Sequence, residues 1–286
     1  MQIVRRTLDG IKARRVGSIR SIERFDQLDD RIAQTLTSPF FESGSWPVNK
    51  WNMKLPTTPS QWDRALVLFA VQEEARPFSG AKGEANSGIT RPKGATAWDP
   101  VRVVVTGMGA ANAEREFLTV LARAERMPEF VLTCGFAGAL VPQFPTGAVV
   151  FDSDPDFFLD NRFLTAGASR VSFHCAPRIA ITRAEKLELR KTTGADVVEM
   201  ESGIIREIAR ARGIPAATVR VISDASGEDL PLDFNALMNS RMELNFGRLA
   251  GKLVRSPGKI PDLIRFGAQT KRAAIRLAEV IAAVLQ

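Results

Sequence analysis

The 286-residue sequence contains no tyrosine, one histidine (His174) and two cysteines (Cys134 and Cys175). Each scarcity excludes a chemistry. Two cysteines are too few for a disulfide framework or a cysteine-rich zinc site. A single histidine leaves a histidine-based metal site or a Ser-His-Asp triad almost nothing to work with. No apolar run reaches the roughly 18 residues that a membrane-spanning helix requires. The opening MQIVRRTLDGIKARR is basic but lacks an apolar stretch, so it does not read as a secretory signal. The expectation is a soluble, cytoplasmic protein.

What is present supports a folded enzyme-sized domain. Apolar residues make up 45% of the chain, with 21 Gly and 16 Pro, which excludes a disordered or collagen-like polymer and allows a substantial core. The net charge of +7 is unevenly spread. Residues 1–24 carry +5 and residues 241–286 carry +6, while the stretch between them is −4. Basic ends around a mildly acidic centre do not resemble a nucleic-acid groove, and no nucleic-acid partner is expected. Such ends suit an anionic membrane surface or an acidic partner, although a solvated basic surface is the simpler reading.

Composition divides the chain. Residues 1–62 are Arg-rich and then Pro-, Ser- and Trp-rich, and read as an irregular N-terminal extension with a short helix over 21–36. Phe40, Phe41, Trp46 and Trp51 are expected to pack onto the domain that follows. From 63 to 286 strands and helices alternate. ALVLFAV (65–71), VRVVVTG (101–107), FVLTCG (130–135), GAVVFD (147–152), one or two strands within 170–182, DVVEM (196–200) and AATVRVISD (216–224) read as strands. Residues 110–126, 184–194 and 202–213 read as helices, the last two stopped by Gly194 and Gly213. Beyond Pro231 the chain is helical, a tail over 234–286 broken near Ser256-Pro257-Gly258. This pattern predicts a single α/β domain with a central mixed, largely parallel sheet flanked by helices.

Ligands in such sheets bind beyond the carboxyl ends of the strands. The polar residues there are Gln72–Glu74, Thr106–Asn112, Cys134–Gly138, Glu199–Glu201 and Ser223-Asp224. TGMGAANA (106–113) lacks the third glycine and the later acid of a dinucleotide fingerprint, but a tight turn facing an anion or a sugar oxygen fits it. The acids say more. Glu73, Glu74, Glu199, Glu201 and Asp224 all sit at ends of buried strands, where a carboxylate is costly unless paired, hydrogen-bonded or used. Taken singly, Glu201 at the start of 202–213 also reads as a helix-terminus acid satisfied by the macrodipole.

In order, FAVQEEARPF, VTGMGAANAE, TCGFAGAL and GADVVEMESGIIREIARARGIPAATVRVISD resemble the landmarks of the purine nucleoside phosphorylase/methylthioadenosine nucleosidase superfamily. VEMES followed by VRVISD carries most of the resemblance, which spans 64–226. EKLELRKTTGADVVEMES and the basic helical tail look more like the hopanoid-associated phosphorylase branch, thought to remove adenine from an adenosylated hopane lipid. The resemblance implies cleavage of a purine N-glycosidic bond through an oxocarbenium-like transition state, without metal or organic cofactor. It assigns Asp224 as general acid toward purine N7, positioned by Ser223, and Glu74 as the acid that activates water. Glu201 would accept the ribose hydroxyls, Met200 would pack beneath the sugar, and Glu199, Gly109 and Phe136 would complete the binding residues. A proton-holding Asp224 calls for partial burial or a neighbouring carboxylate.

Two departures bear on the substrate. The nucleosidases' Ser-Gly-Asp-x-Phe segment, whose Phe stacks on the base, is replaced here by RIAITRAEK (178–186), and Phe136 stands where a small hydroxyl residue is common. Phosphorolysis is an alternative to hydrolysis, with Arg76, Arg91 and Arg115 near the expected loops. A non-catalytic nucleoside-binding or membrane-peripheral protein is a second alternative. His174 and Cys134 read as structural, and Phe157, Phe158 and Phe173 as core. The partners expected are a small-molecule nucleoside or conjugate, phosphate in the phosphorylase reading, and a second copy in a homodimer, with peripheral membrane contact through the tail.

Overall fold

Apolar residues at every position of a strand require cover on both faces, and Ala65–Phe69 (β1) is buried along its whole length. The structure, a computed structural model, describes residues 65–79, 89–90, 101–124 and 127–286. The N-terminal extension, its expected helix and aromatic packing, and Arg91 lie outside the described residues. After β1 come helix α1 (Gln72–Ser79), strands β2 (Ile89–Thr90) and β3 (Val101–Val105), helix α2 (Ala110–Arg123), and strands β4 (Phe130–Ala139) and β5 (Val149–Ser153). Then follow α3 (Asp160–Thr165), β6 (Ser169–Arg170), β7 (Phe173–Cys175), α4 (Arg183–Thr193), β8 (Val197–Glu199), α5 (Ser202–Ala211) and β9 (Ala216–Asp224). The chain ends through α6 (Phe234–Leu237), α7 (Phe246–Arg255), a short 3-10 turn at Pro257–Lys259 and the long α8 (Ile260–Leu285).

The strands form one mixed sheet in the order β2-β3-β1-β4-β9-β5-β6. Neighbours β3, β1, β4 and β9 run parallel, whereas β5 opposes β9 and β2 opposes β3. The expected architecture is therefore the observed one. β4 is longer than the sequence suggested because its last residues change partner. Beyond a register shift at Ala137/Gly138, Gly138 and Ala139 pair with β8, which runs antiparallel to β4 and parallel to β7. RIAIT (178–182) does not form a strand. Instead Thr182 and Glu185 form a capping box that starts α4, and Glu185 also takes the Ile181 N–H.

Helices cover both faces. On one, α1 and the second half of α8 pack against β1, β4 and β9, with Leu277, Ile281 and Val284 fully buried; each contributes about 1.5–3 kcal/mol by leaving water. The other is closed by α2 through Phe117 and Leu121 and by α5 through Ile205 and Ile208. The tail thus covers the domain with its C-terminal half. Phe157 and Phe158 pack on Phe130, and Phe173 lies against the Val197–Ile222 cluster, so all three are core residues. Cys134 is buried in the sheet, and His174 is half-buried in β7.

Candidate functional site

β1 ends at Phe69 and α1 begins three residues later, so the first turn of α1 stands at the carboxyl end of the sheet. There the Glu74 side chain turns back on its own loop. Its Oε2 accepts the Ala70 and Val71 N–H groups at 3.0 and 3.2 Å, and Oε1 accepts the Phe136 N–H at 2.8 Å from the neighbouring β4. This approach requires glycine at 135. A Cβ there would stand 2.8 Å from Glu74 Oε1, and the backbone φ is +151°. Burial raises the Glu74 pKa above its ordinary 4.5, against the pull of these N–H groups and of the Arg220 charge.

Arg220 is the centre of a second group. It sits in β9 between Val219 and Val221, opposite Gly135, and is 1% exposed. Its Nη2 donates to Glu199 Oε2 at 2.6 Å and to Thr133 Oγ1 at 3.2 Å, and lies 3.7 Å from Glu201 Oε2. Glu199 is also the acceptor at the start of α5: it takes the Glu201 and Ser202 N–H groups and the Ser202 hydroxyl. Burial alone would raise the Glu199 pKa, but the Arg220 guanidinium and these donors hold it below 4.5.

Glu201 is the N-cap residue of α5, and its carbonyl accepts the Ile205 N–H, but its side chain makes no capping bond to the helix. Its Oε1 instead accepts the Gly109 N–H at 2.7 Å, across 92 residues of chain. Burial pushes the Glu201 pKa up to about 7, with the Glu199 and Glu74 charges adding to burial and Arg220 and the Gly109 N–H opposing it. Gly109 has φ +83° at the start of α2, and Met200 and Met242 approach it from the other side. TGMGAANA thus presents a backbone donor to a carboxylate.

Ser223 and Asp224 end β9. The Ser223 hydroxyl donates to Asp224 Oδ1 at 2.6 Å and lies 3.2 Å from the Ala137 carbonyl. The other oxygen, Oδ2, contacts Lys186 Nζ at 2.6 Å. Lys186 is fully buried on α4, and its remaining donors go to the Ala225 and Glu228 carbonyls at 2.8 Å each. Of the two conditions expected for Asp224, the structure shows the burial, while its charged neighbour is an ammonium and not a carboxylate. Gln269 of α8 braces the same strand end through the Ser223 carbonyl at 2.8 Å.

The structure gathers Glu74, Glu199 and Glu201 around Arg220 and places Ser223 and Asp224 three and four residues farther along the same strand. Met200 and Gly109 border Glu201, and Phe136, half-buried, supplies its N–H to Glu74. Arg76 and Arg115 do not join the site: both are exposed, and Arg115 pairs with Glu116. Sequence reasoning missed Arg220 and Lys186. Each carried a signal, a cation between the valines of a buried strand and a lysine on the buried side of α4 while Leu187 beside it is 55% exposed.

Residues 167–255 match a family model described as the phosphorylase superfamily. No curated protein matches the chain. Among solved structures, the futalosine hydrolase of Helicobacter pylori strain 26695 aligns with a TM-score of 0.53 at 17% identity, over 77% of this chain and 96% of its own. A 5′-methylthioadenosine/S-adenosylhomocysteine nucleosidase from Colwellia psychrerythraea 34H, solved in complex with adenine, gives 0.52 at 16% over 77% and 93%. The nucleosidase of Campylobacter jejuni gives 0.54 at 17% over 77% and 97%. The chain thus has the nucleoside phosphorylase/nucleosidase fold, as the sequence motifs implied.

Proposed function

We propose that this protein hydrolyses the N-glycosidic bond of a purine nucleoside or nucleoside conjugate. One observation carries the reading: three carboxylates at the carboxyl ends of the strands are each fixed by groups drawn from elsewhere in the fold. Glu74 is held by N–H groups of β4 and its own loop, Glu201 by Gly109, and Asp224 by Ser223 and Lys186. Bond cleavage leaves positive charge on the ribosyl ring and negative charge on the departing purine. Preorganised anions near the sugar and a proton donor at the base lower that barrier.

In this reading Asp224 delivers a proton to purine N7, and the Lys186 ammonium on Oδ2 stabilises the carboxylate that remains. Glu201 accepts the ribose hydroxyls and Met200 lies beneath the ring. Glu74, whose pKa burial raises toward neutrality, takes a proton from the attacking water. The proton enters Glu74 as the new C–O bond forms, while the C–N electron pair leaves with the protonated base. Phe136 in place of a small hydroxyl residue makes this part of the site more apolar, and the resemblance to the hopanoid-associated branch supports a conjugated nucleoside. The working form is a cytoplasmic homodimer without metal or organic cofactor.

Phosphorolysis is the second reading, favoured by Arg220, whose Nε and Nη1 have no partner among the described residues. Hydrolysis is preferred because that guanidinium is already shared by three carboxylates, which would repel a phosphate dianion. The test is incubation of purified protein with adenosine, methylthioadenosine, inosine and an adenosyl-lipid mimic, each with and without phosphate. Free base and free sugar in phosphate-free buffer are expected. Strict phosphate dependence with ribose 1-phosphate as product would establish the second reading. Binding without turnover on every substrate would refute both.

A further inference from the structure

Helix α7 is amphipathic and turned outward. Phe246, Ala250 and Val254 lie within one third of its circumference, while Arg248, Lys252 and Arg255 share the opposite side. Phe246 is 74% and Val254 82% exposed, and no residue of α7 is buried. Leu249 and Leu253 of the apolar side are half-buried toward the domain, and Arg248 donates to the Met238 carbonyl at 2.7 Å, which leaves Phe246, Ala250 and Val254 as the outer, exposed part of that side. The pattern continues across the Pro257–Lys259 turn into α8. There Ile260 and Ile264 are 40% and 68% exposed, whereas Leu263 and Phe266 turn inward and Phe266 packs on Phe234.

Around these apolar side chains the charge is mostly positive, with Asp262 paired to Arg265 at 2.6 Å. Residues 246–272 carry seven Lys/Arg and one acid, Asp262. Two copies of such a face would oppose cation to cation across a two-fold axis, which disfavours self-association. Aliphatic and aromatic side chains interleaved with cations instead match the boundary between acyl chains and anionic headgroups. Among the described residues no helix is long and apolar enough to cross a membrane, so the contact is one of a helix lying in the interface.

We propose that α7 and the first turns of α8 form a docking face for an anionic lipid surface, with Phe246, Val254, Ile260 and Ile264 entering the acyl boundary. This assignment does not depend on the reaction catalysed. Arg241 and Met242, a few residues before α7, contact Asn112 and Gly109, so docking sets the lipid close to that turn.

The test is co-sedimentation of the full chain with phosphatidylcholine vesicles, alone or containing about 30% phosphatidylglycerol. Binding to the mixed vesicles only, released by about 0.5 M NaCl, is expected because salt screens exposed charges. Phe246→Glu with Val254→Glu should lower partitioning at least about 10-fold, since two apolar insertions become two repulsions. Lys252→Gln with Arg255→Gln, which keeps the apolar face, should lower it by about 5-fold per charge removed. All four side chains are exposed, so thermal unfolding and base release should be unchanged. Absence of binding to the anionic vesicles, or equal binding by the Glu variant, would overturn the proposal. A dimer that the Glu variant splits, with no vesicle binding, would assign the face to a second copy instead.

Discussion

Replacing Arg220 with methionine keeps a long apolar side chain in β9 and removes its charge. Glu199 then loses the partner at 2.6 Å and Glu201 the guanidinium at 3.7 Å. One such pair at about 4 Å is worth about 4 kcal/mol at an effective dielectric near 20. Removing one member of a buried pair costs about 3–5 kcal/mol in practice. Arg220→Met should therefore be about 3–5 kcal/mol less stable than the parent near neutral pH. The pH dependence identifies the cause. In the parent, Glu199 titrates below 4.5, so its contribution is present above that value and lost only as pH falls through the lowered one. Without the guanidinium, burial instead raises this carboxyl, and the penalty of ionising it grows as pH rises. Urea unfolding at about pH 5 and about pH 8 should show the larger deficit at the higher pH, and Glu199→Gln added to Arg220→Met should recover most of it. A deficit equal at both pH values, or no deficit, would refute the picture of Arg220 as counter-ion to the acidic cluster.

Four further outcomes follow from the site. With Glu201 titrating at about 7, kcat/KM should rise with pH through that value, and Glu201→Gln should abolish this limb while lowering kcat/KM about 100- to 1,000-fold. Because the folded pKa of Glu201 is raised, its contribution to stability is full below 4.5 and lost as pH climbs through about 7; the Gln variant should flatten that part of the unfolding profile. Lys186→Met should lower kcat about 100-fold with little change in KM, and Asp224→Asn combined with it should add almost nothing, as expected of residues acting as a unit. Gly135→Ala would push a methyl group to 2.8 Å from Glu74 Oε1 and displace it from the Phe136 N–H, at a cost of about 1–3 kcal/mol; a variant with unchanged melting temperature and turnover would contradict this contact.

What could be read in the sequence was whatever rests on local pattern. AATVRVISD is a strand over all nine of its residues, and Gly194 ends α4 at φ +71°. The placement of Glu74, Glu199, Glu201 and Asp224 at strand ends followed from where the apolar runs stop. Partners were not legible, because they come from distant chain. Glu201 meets Gly109 over 92 residues, and Glu74 meets Phe136 over 62. RIAIT alternates like a strand, but Glu185 four residues beyond Ile181 captures its N–H and starts a helix. Lys186 violated the expected pattern of α4 for a reason that only tertiary structure displays: its three donors meet three acceptors, one on the last residue of β9 and two in the segment after it.

A carboxylate offers about four lone-pair positions. On Glu74 the two of Oε2 are taken by the Ala70 and Val71 amides, and one of Oε1 by that of Phe136. The fourth meets no donor among the described residues. In the hydrolytic reading a side chain tethered on three sides cannot swing toward its reactant, so the attacking water has to be delivered to a fixed oxygen rather than fetched by a moving one.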